Sequence, residues 1–412
     1  MEKHIKNKII AISGEPVSGK GTTVKAIIAK LKEQGYSKEN IHLRTTGDEF
    51  RRFFNTIIDF IKHIDSPEKL KEIGKSKELQ KILQNKEYRE ILEKTIAQIK
   101  NSNIDLSNFN ISDANKSPEF SEIRRVVDTL IDEETKELGI KINEEERPNE
   151  VWIVDSRLAF DNIQSAFSVR LTTNPTVAAQ RLFNDSSRGK EDKYSSIEEA
   201  KEEREERRIS EIERYIKRYG VNLENPENYD LIIDTSYSSV EDIADIILQC
   251  EECYRKGEEF AKNWASPKIF LPVQSEMQTF SAQPLSYGNL ENLIEAIQKN
   301  GYMPSKEIKT VNVDGKYYII EGHHRNFASV YAGKTLIPYN NIAKDDEKIP
   351  EYNFTARQRA EAITYSKLCG HEAMIESALN RNSKQNEKIH FSYNEIYPGI
   401  HEQIQRNEQQ ER

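Results

Sequence analysis

The sequence predicts an α/β protein: a doubly wound parallel sheet carrying a helical insert and a lid, followed by a small α+β domain. Three observations lead there. A buried-strand run, Ile9-Ile10-Ala11-Ile12-Ser13, feeds the glycine-framed loop Gly14–Thr23 and then the helical stretch Val24–Leu31. Strand-like and helical patterns then alternate to about residue 256, as they do in βαβ units. Beyond a proline-punctuated stretch, short strands resume, two of them joined by Asp314-Gly315, a tight-hairpin signal.

The first strand, loop and helix make a P-loop, Gly14-Glu15-Pro16-Val17-Ser18-Gly19-Lys20-Gly21-Thr22-Thr23. Glycines let successive N–H groups line one concavity, the helix N-terminus adds positive potential, and Lys20 reaches terminal phosphates. Gly14, Ser18, Gly19, Lys20, Gly21, Thr22 and Thr23 are therefore expected to bind a nucleoside triphosphate. Gly21 stands where Ser or Thr is commonest, so the hydroxyl on the metal side falls to Thr22 or to water. A second strand over 40–46 ends in Thr46-Gly47-Asp48, which opens a helix holding Arg51, a second phosphate fork or a surface arginine.

Residues 60–120 read as polar helices with Lys/Glu pairs at helical spacing, 101–118 as loop, and 123–132 as an amphipathic helix. The strand Val151–Asp155 closes on Ser156-Arg157-Leu158-Ala159. Asp155, at a strand's carboxyl end, is a metal-side acid or the cap of the next helix. After the strand 167–172 comes a helix with Arg181, then a polar loop with Arg188. The charged helix 197–219 follows, where Arg207 and Arg214 lie two turns apart on one face. Arginine at 204, 207, 208, 214 and 218 favours planar phosphate clamps over a merely solvated face. The strand 229–236 and helix 239–256 complete the first half.

Composition bounds the class. The chain has 412 residues, 36% hydrophobic and 31% charged, with net charge −9, which argues against non-specific DNA binding. No apolar run approaches the ~20 residues of a membrane span. Three cysteines and an N-terminus without an apolar signal core predict a reduced, cytoplasmic setting. The single C-x-x-C, Cys250 and Cys253, reads as ordinary helix residues.

Together Gly19-Lys20-Gly21-Thr22, Thr46-Gly47-Asp48 with Arg51, and the arginine helix resemble a nucleoside monophosphate kinase, most nearly the archaeal-type cytidylate kinases. Arg207 to Tyr215, Tyr219-Gly220-Val221, Tyr229–Ser236, Asp128 with Asp132, and Ser156-Arg157-Leu158-Ala159 extend the resemblance over roughly residues 7–250. It implies that Lys20 holds ATP phosphates, and that Thr46, Asp48, Arg51 and Arg157 bind the acceptor monophosphate, CMP or dCMP. Arg188, Arg207 and Arg214 would close as a lid, with Asp155 and Thr22 on the Mg²⁺ side. Ser156 replaces the family's glycine, and the insert lies where the acceptor base would be read. A kinase of another small acceptor, or a nucleotide sensor with little turnover, is the alternative.

The second half has strands at 269–273, 308–313 and 316–321, a helix at 289–299, then Glu321-Gly322-His323-His324-Arg325 as a loop before the helix 326–332. This motif resembles the ParB/sulfiredoxin-like superfamily over about 268–342, which implies a nucleotide or phosphate grip. Two adjacent histidines are better suited to a structural role, or to phosphate hydrogen bonds, than to a metal. The expected domains are 1–256 (insert about 60–148), a linker 257–267, 268–342, and a polar extension 343–412 with a helix at 355–379 and a disordered end from 402.

Overall fold

The computed structural model describes residues 7–64, 74–102, 104–105, 109, 111–184, 194–274, 289–383 and 388–410. Two compact units divide the chain: residues 1–13 with 36–166, and residues 14–35 with 167–412.

In chain order the elements begin with β1 (Lys8–Gly14), α1 (Lys20–Glu33), β2 (Ile41–Thr45) and α2 (Thr46–Lys62). Then come α3 (Lys77–Gln84), α4 (Lys86–Asn101), α5 (Ile111–Lys116), α6 (Ser121–Asn143), β3 (Val151–Asp155) and α7 (Ala159–Asn162). In the first unit β2, β3 and β1 are parallel neighbours, with Ile12 and Thr45 both opposite Asp155. Every residue of β1 is buried, as expected for an apolar run covered on both faces.

Helix α2 buries Phe53, Phe54, Ile57, Ile58 and Ile61, one stripe at helical spacing. With Leu79, Ile82, Leu92, Phe120 and Ile123 these residues build a core shared by α2 and the helices of the insert. Helices α3 and α4 start on Ser76 and Asn85, whose side chains accept from Leu79 N (3.1 Å) and Tyr88 N (3.2 Å).

The second unit continues with β4 (Phe167–Thr172), α8 (Pro175–Phe183), α9 (Ile197–Tyr219), β5 (Leu231–Asp234), α10 (Val240–Lys256), β6 (Asn263–Ala265) and β7 (Phe270–Leu271). It ends with α11 (Leu290–Asn300), β8 (Ile308–Val313), β9 (Lys316–Glu321), α12 (His323–Tyr331), β10 (Ile337–Lys344), α13 (Ala356–Glu361), α14 (Tyr365–Asn382), α15 (Tyr393–Ile396) and α16 (Ile400–Gln410). Its strands run in the order β4-β5-β6-β10-β8-β9-β7. Asp314 and Gly315 both have positive φ (49° and 78°), the backbone a two-residue hairpin needs between β8 and β9.

Several elements differ from expectation, beginning with residues 111–116, expected within a loop, which form the short helix α5. Residues 263–265, expected within a linker, form β6, which pairs parallel to β5 and antiparallel to β10. Its Trp264 is fully buried and donates Nε1–H to Ala261 O at 2.9 Å. Three residues are too few to show a strand period, so only pairing reveals it. The helix expected over 355–379 is two helices, each opened by a threonine cap, Thr355 and Thr364. The end expected to be disordered from 402 is helical to Gln410, because Ile400 and Ile404 pack as neighbours one turn apart into the core.

The last difference concerns the Gly322–Arg325 motif, which is not a loop. Helix α12 begins at His323, with Gly322 as its cap at φ 107°. No helix among the described residues is long and apolar enough to cross a membrane.

Candidate active site around the P-loop

The loop's shape follows from close backbone approaches. A Cβ on Gly14 would lie 2.6 Å from Leu171 O and 2.8 Å from Ser18 Oγ, so only glycine fits. Next to it, Glu15 N donates to Leu171 O at 3.2 Å and Ser18 N to Glu15 O at 3.2 Å. Val17 sits at φ 66°, a strained conformation for a β-branched residue, and Gly19 at φ 83°.

Helix α1 then starts with no side-chain cap and no acid in its first turn. Its leading N–H groups are left for an anion. Ser18 is buried with a hydroxyl that has no hydrogen-bond partner. Lys20 folds back so that Nζ donates to Gly14 O (3.0 Å) and Glu15 O (3.4 Å). Gly21 and Thr22 are exposed on the same turn, whereas Thr23 is buried, its N–H on Gly19 O at 2.9 Å. This donor set suits a phosphate chain with a hydrated cation at Thr22.

The loop is held from behind. Thr235, after β5, donates Oγ1–H to Ser18 O at 3.0 Å. Arg181 of α8 donates to Val17 O (3.4 Å), Thr235 O (2.6 Å) and Ser236 O (3.4 Å). Asp234 ends β5; burial pushes its carboxyl up, opposed by hydrogen bonds from Ser236 and the charge of Arg181. Sequence reasoning noted Arg181 without giving it a role.

The arginine helix α9 is opened by the Ser196 cap on Glu199 N (3.1 Å) and closed by Gly220 at φ 68°. Arg207 is exposed and lines a hollow with Pro16, Val17, Leu182 and Tyr194. Arg214 is exposed, its guanidinium 5.3 Å from the Tyr215 ring centroid. Arg188 lies outside the described residues.

Glu15 was missed in the sequence, and Arg204, expected among the phosphate clamps, is buried against it. Glu15 forms a close ion pair with Arg204, whose side chain is only 2% exposed, and approaches Arg170 Nη2 at 3.5 Å. Burial raises the Glu15 carboxyl, while Arg204 and Arg170 pull it down. An acid inside an anion-binding loop demands a cationic partner, and that was the available signal. The partner's identity was hidden by a separation of 189 residues.

In the first unit Thr46 Oγ1 donates to Asp155 O at 3.2 Å. Arg51 and Asp48 pair with each other, both exposed. Ser156 is buried; its N–H reaches Ile12 O (3.1 Å) and its hydroxyl accepts from Leu158 N (3.4 Å). A serine therefore makes the turn that places Arg157 between β3 and α7. Arg44 bridges Glu49 (2.8 Å) and Glu134 (3.6 Å) behind α2, and burial pushes the Glu49 carboxyl up.

In the second unit, His323 is buried and its Nε2 accepts Val273 N–H at 3.2 Å. Burial, then the charges of Arg359 and His324, lowers His323 to about 3, so it is neutral. Arg325 donates to Lys306 O (3.1 Å), Glu307 O (2.6 Å) and Glu321 Oε1 (3.3 Å). His324 is half-buried at the helix start. Cys250 and Cys253 lie one turn apart on α10, and burial pushes the Cys250 thiol up. Among the described residues no three His, Cys, Asp or Glu gather as a metal site.

No family model matches the chain. It is 28% identical over 134 residues to a cytidylate kinase of Methanosphaera stadtmanae, covering 32% of this chain and 69% of that enzyme. The match to a cytidylate kinase of Methanocella arvoryzae is 29% over 131 residues, 32% of this chain and 67% of the other. The region is P-loop kinase-like. It is also 28% identical over 144 residues (35% of this chain) to an S-adenosylmethionine-dependent nucleotide dehydratase of Lacinutrix mariniflava, and spans about a quarter (27%) of that protein's length. Among solved structures, an uncharacterized protein from Eubacterium ventriosum aligns over 60% of this chain and 99% of its own, at 16% identity and a TM-score of 0.32.

Proposed function

We propose that the chain is an ATP- and Mg²⁺-dependent kinase of a nucleoside monophosphate, CMP or dCMP. The observation that carries this is the uncapped start of α1, with Lys20 and the unpartnered Ser18 hydroxyl beside it, in a region similar to cytidylate kinases. Lys20 and the loop N–H groups would hold the ATP phosphates. Thr22 would face Mg²⁺, which neutralises phosphate charge when bound, and Asp155 would orient its water shell. Arg51 and Arg157, with Thr46 and Asp48, would hold the acceptor phosphate. Arg188, Arg207 and Arg214 would neutralise the transferring group and exclude water.

We further assign residues 268–342 to a ParB/sulfiredoxin-like module that binds a nucleotide or phosphate. The hairpin β8–β9, the Gly322 cap and the start of α12 at His323 support this reading. There the helix N–H groups, with the half-buried His324 beside them, would make the contacts.

The test is ATP-to-ADP turnover against CMP, dCMP, UMP, AMP and GMP, with Lys20→Ala as control. Turnover confined to CMP and dCMP and lost in the variant supports the proposal; silence across the panel with ATP still bound refutes it. One observation favours a second reading, a kinase of another small acceptor. The insert helices join α2 in one core that runs to α6, a larger acceptor-side element than a minimal cytidylate kinase needs. Turnover of a non-nucleotide acceptor, with none of CMP, would select it.

A further inference from the structure

Helix α9 is 23 residues long, yet only Ala200 and Arg204 on it are buried. Apolar burial is the usual force that seats a surface helix, and here it is nearly missing. A ladder of charges takes its place. Arg204 meets Glu15; Glu15 approaches Arg170 at 3.5 Å; Arg170 approaches Glu224 at 3.5 Å; Glu224 meets Arg208 at 2.5 Å, and Arg208 meets Glu205 at 2.7 Å. The ladder leaves α9 at Arg204 and returns to it at Arg208, one turn on. Arg170 is fixed in turn by donating to Leu223 O at 2.6 Å.

One rung, Glu15, belongs to the P-loop, and the Lys20 ammonium hydrogen-bonds its carbonyl oxygen. A carboxylate in an anion-binding loop opposes phosphate binding unless it is neutralised, and two guanidiniums do that here. We propose that Glu15 is a positioning residue for phosphoryl transfer. Its carboxylate docks the arginine helix on the P-loop through Arg204 and thereby sets Arg207 beside Pro16 and Val17.

This rests on the kinase reading above for its catalytic part, though not for the docking itself. Ground-state ATP is held by loop N–H groups and Lys20, whereas Arg207 acts as charge develops. Displacing α9 therefore affects the chemical step more than binding.

The experiment uses the full chain carrying Glu15→Gln, Arg204→Gln, both together, and Arg204→Lys. The last keeps the charge but not the fork, and carries the test if Glu15→Gln does not fold. Expected for Glu15→Gln is a kcat for transfer lower by roughly 10–100-fold, with KM for ATP changed by less than about twofold. ATP hydrolysis without acceptor should rise relative to transfer. The double variant should lose no more than the worse single one, the mark of one shared interaction. Amide hydrogen exchange of Ile197–Tyr219 without nucleotide should quicken in each variant, and this readout needs no turnover.

Wild-type exchange and wild-type kcat in Glu15→Gln would overturn the proposal, as would losses that multiply in the double variant. If the wild type turns over no acceptor, the kinase reading fails. Hydrogen exchange then decides the docking by itself: faster exchange supports it and unchanged exchange refutes it.

Discussion

Glycines 14, 19 and 21 all lie in the P-loop, yet each has a different reason to be glycine, and replacing each by alanine separates them. At Gly14 the new Cβ would meet Leu171 O at 2.6 Å, Ser18 Oγ at 2.8 Å and Leu171 Cβ at 3.0 Å. Two of these belong to β4, so the clash is relieved only by moving the loop off the strand. That costs about 1–3 kcal/mol of overpacking and strains the Glu15 N to Leu171 O bond, worth about 1 kcal/mol. The sum is about 2–4 kcal/mol. At Gly19 there is space, but φ is 83°, so the cost is left-handed strain of about 1–2 kcal/mol. At Gly21 there is space and no positive φ; alanine stabilises by about 0.4–1 kcal/mol through the unfolded chain.

The assay is urea unfolding followed by Trp264, buried in β6 of the same unit, with Trp152 replaced by Phe so that one tryptophan reports. The expected order of midpoints is Gly21→Ala, wild type, Gly19→Ala, Gly14→Ala. A Gly14→Ala protein that unfolds at the wild-type midpoint would refute the packing argument for this loop.

Lys20→Ala should reduce phosphoryl transfer by roughly 10²–10³-fold while leaving the urea midpoint near wild type, measured by coupled ADP release. His323 should make the second unit acid-sensitive. Its folded pKa, about 3, lies below the unfolded 6.5, so its contribution is full above pH 6.5 and lost as pH falls toward 3. His323→Gln keeps an acceptor for Val273 N–H without titrating. Between pH 6 and 4.5 its stability should fall less steeply than wild type, by about 1.4 kcal/mol per pH unit; equal slopes in urea titrations would contradict this. Gly322→Ala should destabilise by about 2–4 kcal/mol in thermal melts, since the Cβ would lie 2.6 Å from Ile308 Cγ2 at a φ of 107°.

Local chemistry carried much of the fold in the sequence itself. The strand Val151–Asp155, the hairpin strands 308–313 and 316–321, and the helix 197–219 stand where periodicity, turn residues and caps place them. Their determinants lie within a few residues: a period, an Asp-Gly turn, a serine before the helix and a glycine after it. The P-loop was legible for the same reason, because its glycines, lysine and flanking elements are contiguous.

Tertiary structure decided what depends on partners distant in the chain. β6 is a strand because β5 and β10 supply its hydrogen bonds on both sides. The polar end is helical because Ile400 and Ile404 find a core to enter. Arg204 is a buried anchor rather than one more exposed charge because Glu15 waits for it across the fold. A helix rich in Glu and Arg offers many equivalent pairings along its own surface. Only the packed chain selects which charge is desolvated, and desolvation is what turns an ordinary ion pair into a specific one.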